Sequence, residues 1–163
     1  MTISAVKFGL GIAGAVVLAD QATKALALAL LEPYRPVAVL AFFDLRLAFN
    51  PGAAFSLFAN GGGWQRWLLS AVALAVSVYL IHWLRGLSRA DRLQATGVSF
   101  VLGGAIGNLI DRLWHGVVID FIDLHAAGWH WPAFNIADSA ITLGVVAILA
   151  SAWREWRQAR TQA

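Results

Sequence analysis

Cysteine is absent from the 163-residue chain, which excludes disulfides, thiolate nucleophiles and cysteine-based metal sites. Charge is scarce: 13% of residues are Asp, Glu, Lys or Arg, against about 25% in an ordinary soluble domain. So little charge points to lipid as the solvent for much of the surface. Internal repeats, low-complexity tracts and soluble-domain linkers are also missing, and the length allows one domain, 1–163. Neither a G-x-S-x-G nucleophile elbow nor a phosphate-binding glycine loop occurs, so those two chemistries have no motif to stand on.

What fills the chain is apolar: 60% hydrophobic residues, with a mean hydropathy of +0.68. A helix needs about 20 predominantly apolar residues to cross the hydrocarbon core. Four runs meet or approach that length: 8–31, 67–84, 93–110 and 133–153. The second extends back to Trp64 if Arg66 reaches for the interface. The first has a competing reading as a cleavable secretory signal, with Lys7, a short apolar core and Ala25-Leu26-Ala27. Asp20, Gln21, Thr23 and Lys24 argue that it is retained.

The pI of about 10.0 and net charge of +3 raise the question of nucleic acid, but no basic folding module accompanies the charge. Six of the twelve cations form two groups beside apolar runs, Arg85, Arg89 and Arg92, then Arg154, Arg157 and Arg160. Basic residues there set topology and meet anionic headgroups. Both groups, with Lys7, fall on one side of a four-span chain, so both termini are expected in the cytoplasm. Segments 32–63 and 111–132 then face outward. In the first, Asp44-Leu45-Arg46-Leu47-Ala48-Phe49 alternates early, as a short interfacial strand does, and Asn50-Pro51-Gly52 signals a turn. The expected fold is an all-α membrane protein with four transmembrane helices and a small outer-face β-like segment.

Polar residues inside such spans are costly and default to functional candidates. Asp20 and Lys24, four apart, share a helix face; they read equally as a self-neutralising ion pair or as support for a nearby site. Gly104, Asn108, Asp111 and Arg112 fall on one stripe of the third span. Its glycines read as close-packing residues, whereas Asn108 and Arg112 read as a substrate-facing amide and a cation that orients a carboxylate. Asp138 sits in a run otherwise uncharged from 133 to 153, either as a helix-capping or structural acid or as a functional one. Asp120, bracketed by Ile119 and Phe121, is oddly placed for a solvated loop.

Asp120 and Asp138 are expected at the same outer level. Two carboxylates about 4 Å apart repel by roughly 4 kcal/mol at an effective dielectric near 20. That is close to three pKa units, so such a pair keeps one proton near neutral pH. One member then activates water while the other donates to a carbonyl oxygen. His115, His125 and His130 lie near Asp120 and Asp123 in sequence, but match no zinc signature. A different class of function, a proton or small-ion relay through Asp20, Asp120 and Asp138, lacks the paired broken helices common in transporters.

Five segments in order resemble the lipoprotein signal peptidase (signal peptidase II) family. They are Asp20-Gln21-Ala22-Thr23-Lys24, Asn50-Pro51-Gly52-Ala53-Ala54-Phe55-Ser56, the stretch from Gly103 to Arg112, Val118-Ile119-Asp120-Phe121, and Phe134-Asn135-Ile136-Ala137-Asp138-Ser139. The resemblance implies a four-helix aspartic endopeptidase of the bacterial cytoplasmic (inner) membrane, its site at the outer face. Its catalytic acids map onto Asp120 and Asp138. Asp20, Lys24, Asn50, Gly104, Asn108, Asp111, Arg112, Asn135 and Ala137 become lining or supporting residues. Asp123, three residues after Asp120, lacks the Val-x-Asp-Phe context. The implied substrates are prolipoproteins carrying a diacylglyceryl cysteine, cut just before that cysteine, by a monomer without metal or cofactor. Phe42, Phe43, Phe49, Phe55 and Phe58 then read as a membrane-lying clamp over substrate or as plain interfacial anchors.

Overall fold

Each apolar run forms one helix in the computed structural model, which describes residues 5–52, 62–88 and 90–161. The helices are α1 (Ala5–Leu30), α2 (Trp64–Gly86), α3 (Arg92–Trp114) and α4 (Ile136–Thr161). All four are long and apolar enough to cross a membrane, and a helix does so without leaving its interior backbone groups unpaired. The stretch 53–56 of the second resembling segment, with Phe55 and Phe58, lies outside the described residues, as does Arg89.

Small residues decide the packing order. Helix α3 is the central one: 56% of its apolar window is buried, against 22% in each of the other three. A side chain at Gly97 would meet the Gly144 carbonyl of α4, and one at Gly103 would meet Ala13 and Val16 of α1. At Gly104 it would meet the Ala137 carbonyl and Ile141. Without side chains at these points the backbones approach closely, which substitutes for the hydrophobic drive that lipid does not supply. A cluster of Ala13, Leu80, Leu84, Ala95, Val98 and Leu102 fills the bundle interior. Leu18, Leu26, Leu74, Val78, Leu143 and Leu149 are exposed on the outside, where acyl chains are the solvent.

Both connections at one end of the bundle contribute to a single antiparallel sheet. Its strands are β1 (Val37–Leu40), β2 (Phe43–Asn50), β3 (Val118–Ala126) and β4 (Trp129–His130), in the spatial order β1-β2-β3-β4. The expected strand at 44–49 is β2. Strand β3 was not anticipated, because Asp120 and Asp123 interrupt its apolar pattern although Val, Ile and Phe favour a strand. Ala48 pairs with Asp120 and Asn50 with Val118. Leu47, Ile119 and Phe121 turn inward to join Ala27 in a second buried cluster, seating the sheet on α1.

The fourth helix begins later than the expected 133. Phe134 exchanges backbone hydrogen bonds with Ile122, at 3.1 and 2.9 Å, so Phe134 extends β3's pairing and the helix starts only at Ile136. That helix continues past 153 to Thr161, because its arginines occupy a helix end that no longer needs to be apolar.

Candidate active site

The N-terminus of α4 organises the site. Asn135 is its cap: its Oδ1 accepts from the Asp138 N–H at 3.0 Å, while its own N–H donates to Asp138 Oδ2 at 3.3 Å. This reciprocal arrangement is a capping box with Asp in the third helical position. The next orphan donor, Ala137 N–H, goes to Asp20 Oδ1 at 2.9 Å. The capping reading of Asp138 therefore holds for one of its oxygens. The other accepts from Asn108 Nδ2 at 2.8 Å.

Strand β3 brings the second acid. Asp120 is 2% exposed, and its Oδ1 accepts from Asn135 Nδ2 at 2.7 Å. Its Oδ2 accepts from Asn50 Nδ2 at 3.2 Å; Asn50 and Ala48, two apart on β2, share the face that Asp120 occupies on β3. One residue, Asn135, thus holds both carboxylates. Burial pushes the Asp120 carboxyl up to about 7 from 3.8, and the charge of Asp138 adds to that shift. Hydrogen bonds from Asn50 and Asn135, and the charge of Lys24, act against it.

Behind the acids lies a buried charged network. Lys24 Nζ sits 2.8 Å from both Asp20 Oδ2 and Asp111 Oδ2, and donates to Asn108 Oδ1 at 3.0 Å. Its three donors are all used. The ion pair offered for Asp20 and Lys24 is present, and Lys24 also meets the Asn108 amide, whose Nδ2 faces Asp138. Asp111 Oδ2 also accepts from the backbone of Ile119 at 3.1 Å, which pins β3 beside Asp120. Gln21, absent from the expected supporting set, donates to Asp20, Asp111 and the Gly107 carbonyl at 3.1, 2.9 and 3.2 Å. Its signal was in the sequence: a carboxamide between two charged residues inside an apolar span.

Arg112 interacts with the charges of Asp138, Asp111 and Asp120. Its guanidinium donates to the carbonyls of Asn108 and Gly52, at 3.3 and 3.1 Å, and so fastens α3 to the turn after β2. Gly104 and Ala137 act through packing, the first making room for the backbone of the second. Asp123 lies elsewhere. An odd number of strand positions separates it from Asp120, so alternation turns it away, and it meets Arg46 Nε at 2.7 Å and His130 Nδ1 at 2.9 Å. His125 faces Asp44 at 3.2 Å. No group of three or more metal-ligating side chains is found among the described residues.

Asp120 and Asp138 both line a cavity of about 940 Å³, together with Asn50, Asn108 and Arg112. Its remaining wall is largely apolar, with Phe49, Trp131, Phe134, Ile141 and Leu143 among its residues. A carboxyl that holds its proton near neutrality, beside a second acid, offers a general acid and a general base to whatever enters.

A family model described as Signal peptidase (SPase) II matches residues 12–154. The chain belongs to the signal peptidase II family. It is 50% identical over 149 residues to the lipoprotein signal peptidase of Polynucleobacter necessarius subsp. necessarius, covering 91% of this chain and 89% of that relative. To the lipoprotein signal peptidase of Paraburkholderia phymatum it is 46% identical over 152 residues, covering 93% and 90%. Among solved structures, one described as a bacterial membrane enzyme structure by the in meso method at 2.3 Å resolution is similar, with a TM-score of 0.82 and 28% identity. That likeness covers 91% of this chain and 88% of the other. The signal peptidase II match takes in every cavity-lining residue, on β2 and the turn after it, α3, β3, the segment before α4 and α4 itself.

Proposed function

We propose that this chain is an aspartic endopeptidase that removes signal peptides from diacylglyceryl-modified prolipoproteins, cutting the bond before the lipidated cysteine. Membership of the signal peptidase II family makes it a membrane peptidase of lipoprotein processing. The observation that carries the catalytic type is the shared grip of Asn135 on two buried carboxylates facing one cavity. In this reading the dyad keeps one proton. The ionised member takes a proton from water as the oxygen attacks the scissile carbonyl. Its partner donates to that carbonyl oxygen, and collapse of the tetrahedral intermediate returns a proton to the departing amine.

Lys24, Asp20 and Asp111 hold Asn108 in the orientation that serves Asp138. Asn50 and Asn135 hold Asp120, and Arg112 closes the turn at 50–52 over the cavity. The chemistry needs no metal or cofactor, and a single chain carries both acids, so a monomer suffices. Arg85, Arg92, Arg154 and Arg157 lie at the end of the bundle opposite the sheet, so the positive-inside rule puts the termini in the cytoplasm and the acids at the outer face. The apolar wall suits acyl chains and a signal peptide lying in the bilayer.

Asp120→Asn and Asp138→Asn are each expected to abolish cleavage of a diacylglyceryl-cysteine precursor by the detergent-solubilised protein. The double variant should be scarcely worse than either, because residues acting as one unit are not additive. Asp123→Asn should retain most activity. Wild-type protein should leave the unlipidated counterpart essentially uncut. Full activity in either dyad variant would end the aspartic mechanism, and equal turnover of both precursors would end lipid recognition.

A further inference from the structure

Besides Arg112, the cavity wall carries a second cation, Arg46, which the mechanism does not use. Its placement comes from an irregularity in the sheet. Leu45 pairs with Ile122 and Ala48 with Asp120, so Arg46 and Leu47 together oppose the single residue Phe121. Such a bulge re-aims side chains, and bulges recur beside active sites. Here Leu47 goes to the buried cluster, while Arg46 reaches both the cavity and Asp123.

Asp123 holds Arg46 through charge. Nε lies 2.7 Å from Asp123 Oδ2, off the line of an aligned hydrogen bond. Asp123 is itself 1% exposed and is also bound by His130. That imidazole stacks on His125, ring centroids 5.0 Å apart, and His125 faces Asp44. The Asp123 carboxylate is therefore fixed. No hydrogen bond from either Nη group of Arg46 is found among the described residues, and the side chain is 40% exposed. A guanidinium held at Nε presents its Nη fork to a planar acceptor, the geometry that suits a carboxylate.

The cavity has two unlike ends. Ile141, Thr142 and Leu143 of α4 line one, in the body of the bundle, while Arg46, Leu124 and Trp131 line the other, on the sheet. The apolar signal peptide belongs to the first end, which leaves the polar start of the mature chain to the second. Arg46 stands two strand positions from Ala48, the partner of Asp120, or about 7 Å at the rise of a strand. An extended substrate covers that distance in about two residues.

We infer that Arg46 is a specificity-determining residue that favours an acidic side chain at the second or third residue after the cut, counting the lipidated cysteine as the first. The inference rests on the reading of the site as a prolipoprotein peptidase. It is tested with full-length protein in a zwitterionic detergent free of anionic lipid, using diacylglyceryl precursors that differ only in Asp, Asn or Lys at those positions. Wild-type protein should cut the Asp precursor with kcat/KM about five- to tenfold above the Lys precursor, the range of a charge-assisted hydrogen bond partly open to solvent. Arg46→Gln should bring the ratio near one, and Arg46→Lys should retain part of it. Equal cleavage of all precursors by the wild type overturns the inference without any variant, as does a preference that survives in Arg46→Gln. Failure to cut any lipidated precursor would instead remove the peptidase reading beneath it.

Discussion

Asn135 shows how much one side chain can decide. As the cap of α4 it fixes Asp138 through a reciprocal bond, and its amide crosses to Asp120 on a strand 15 residues earlier. Neither acid would be positioned by its own element alone. The protonation of Asp120 gives a test at this scale. Its carboxyl is pushed up to about 7, so the proton that the proposed dyad mechanism uses is present below that value and lost as pH rises through it. Cleavage by the solubilised protein should therefore fall above about pH 7, approaching tenfold per pH unit. The Asn50 hydrogen bond works against the shift. Asn50→Ala should then move this limb to higher pH, whatever it does to the maximal rate. A limb that stays in place would separate it from Asp120.

The helices owe their arrangement to where side chains are missing. Gly97 and Gly104 both bring α3 onto α4, but at different depths, and only Gly104 touches the residue next to Asp138. Gly97→Ala and Gly104→Ala should each cost about 1–3 kcal/mol, as overpacking does. Both should show as lower thermal midpoints in detergent. Gly104→Ala should also slow cleavage by the protein that remains folded, because it displaces the Ala137 carbonyl. Gly97→Ala should leave the folded fraction close to wild-type activity. Gly11, with nothing near a Cβ, should accept Ala without loss of stability. Equal activity in the Gly97 and Gly104 variants would mean that α4 is positioned from its cap alone.

At the scale of the whole molecule, charge asymmetry and the sheet divide the bundle into two ends. Arg85 and Arg92 flank the α2–α3 connection and Arg154, Arg157 and Arg160 fill the end of α4, while the opposite end carries the sheet and the acids. A reporter fused after Ala163 should read as cytoplasmic, and one inserted at Gly62 as external. The reverse pattern would place the cavity on the cytoplasmic side and remove the proposed access to exported precursors. The burial contrast among the helices fits the same picture. A central α3 surrounded by three more exposed helices leaves the cavity between α3, α4 and the sheet.

Four apolar runs, their basic flanks and the costly Asp20, Lys24, Asn108, Asp111, Asp120 and Asp138 were legible in the sequence. Lipid penalises any polar residue that lacks a partner, so those that persist in a span stand out. The second strand was legible as well, because its alternation has period two. Strand β3 was not, since its buried acids break the pattern that marks a strand. Only the tertiary structure decided that Phe134 pairs with Ile122, which delays α4 and makes Asn135 its cap. It also decided that Arg112 meets carbonyls while Lys24 meets Asn108, and that Arg46 reaches the cavity through a bulge. Composition and periodicity report what one element exposes to its solvent. Partners 15 to 117 residues apart are chosen by how elements cross, and that is settled by glycine contacts and helix caps that no single segment contains.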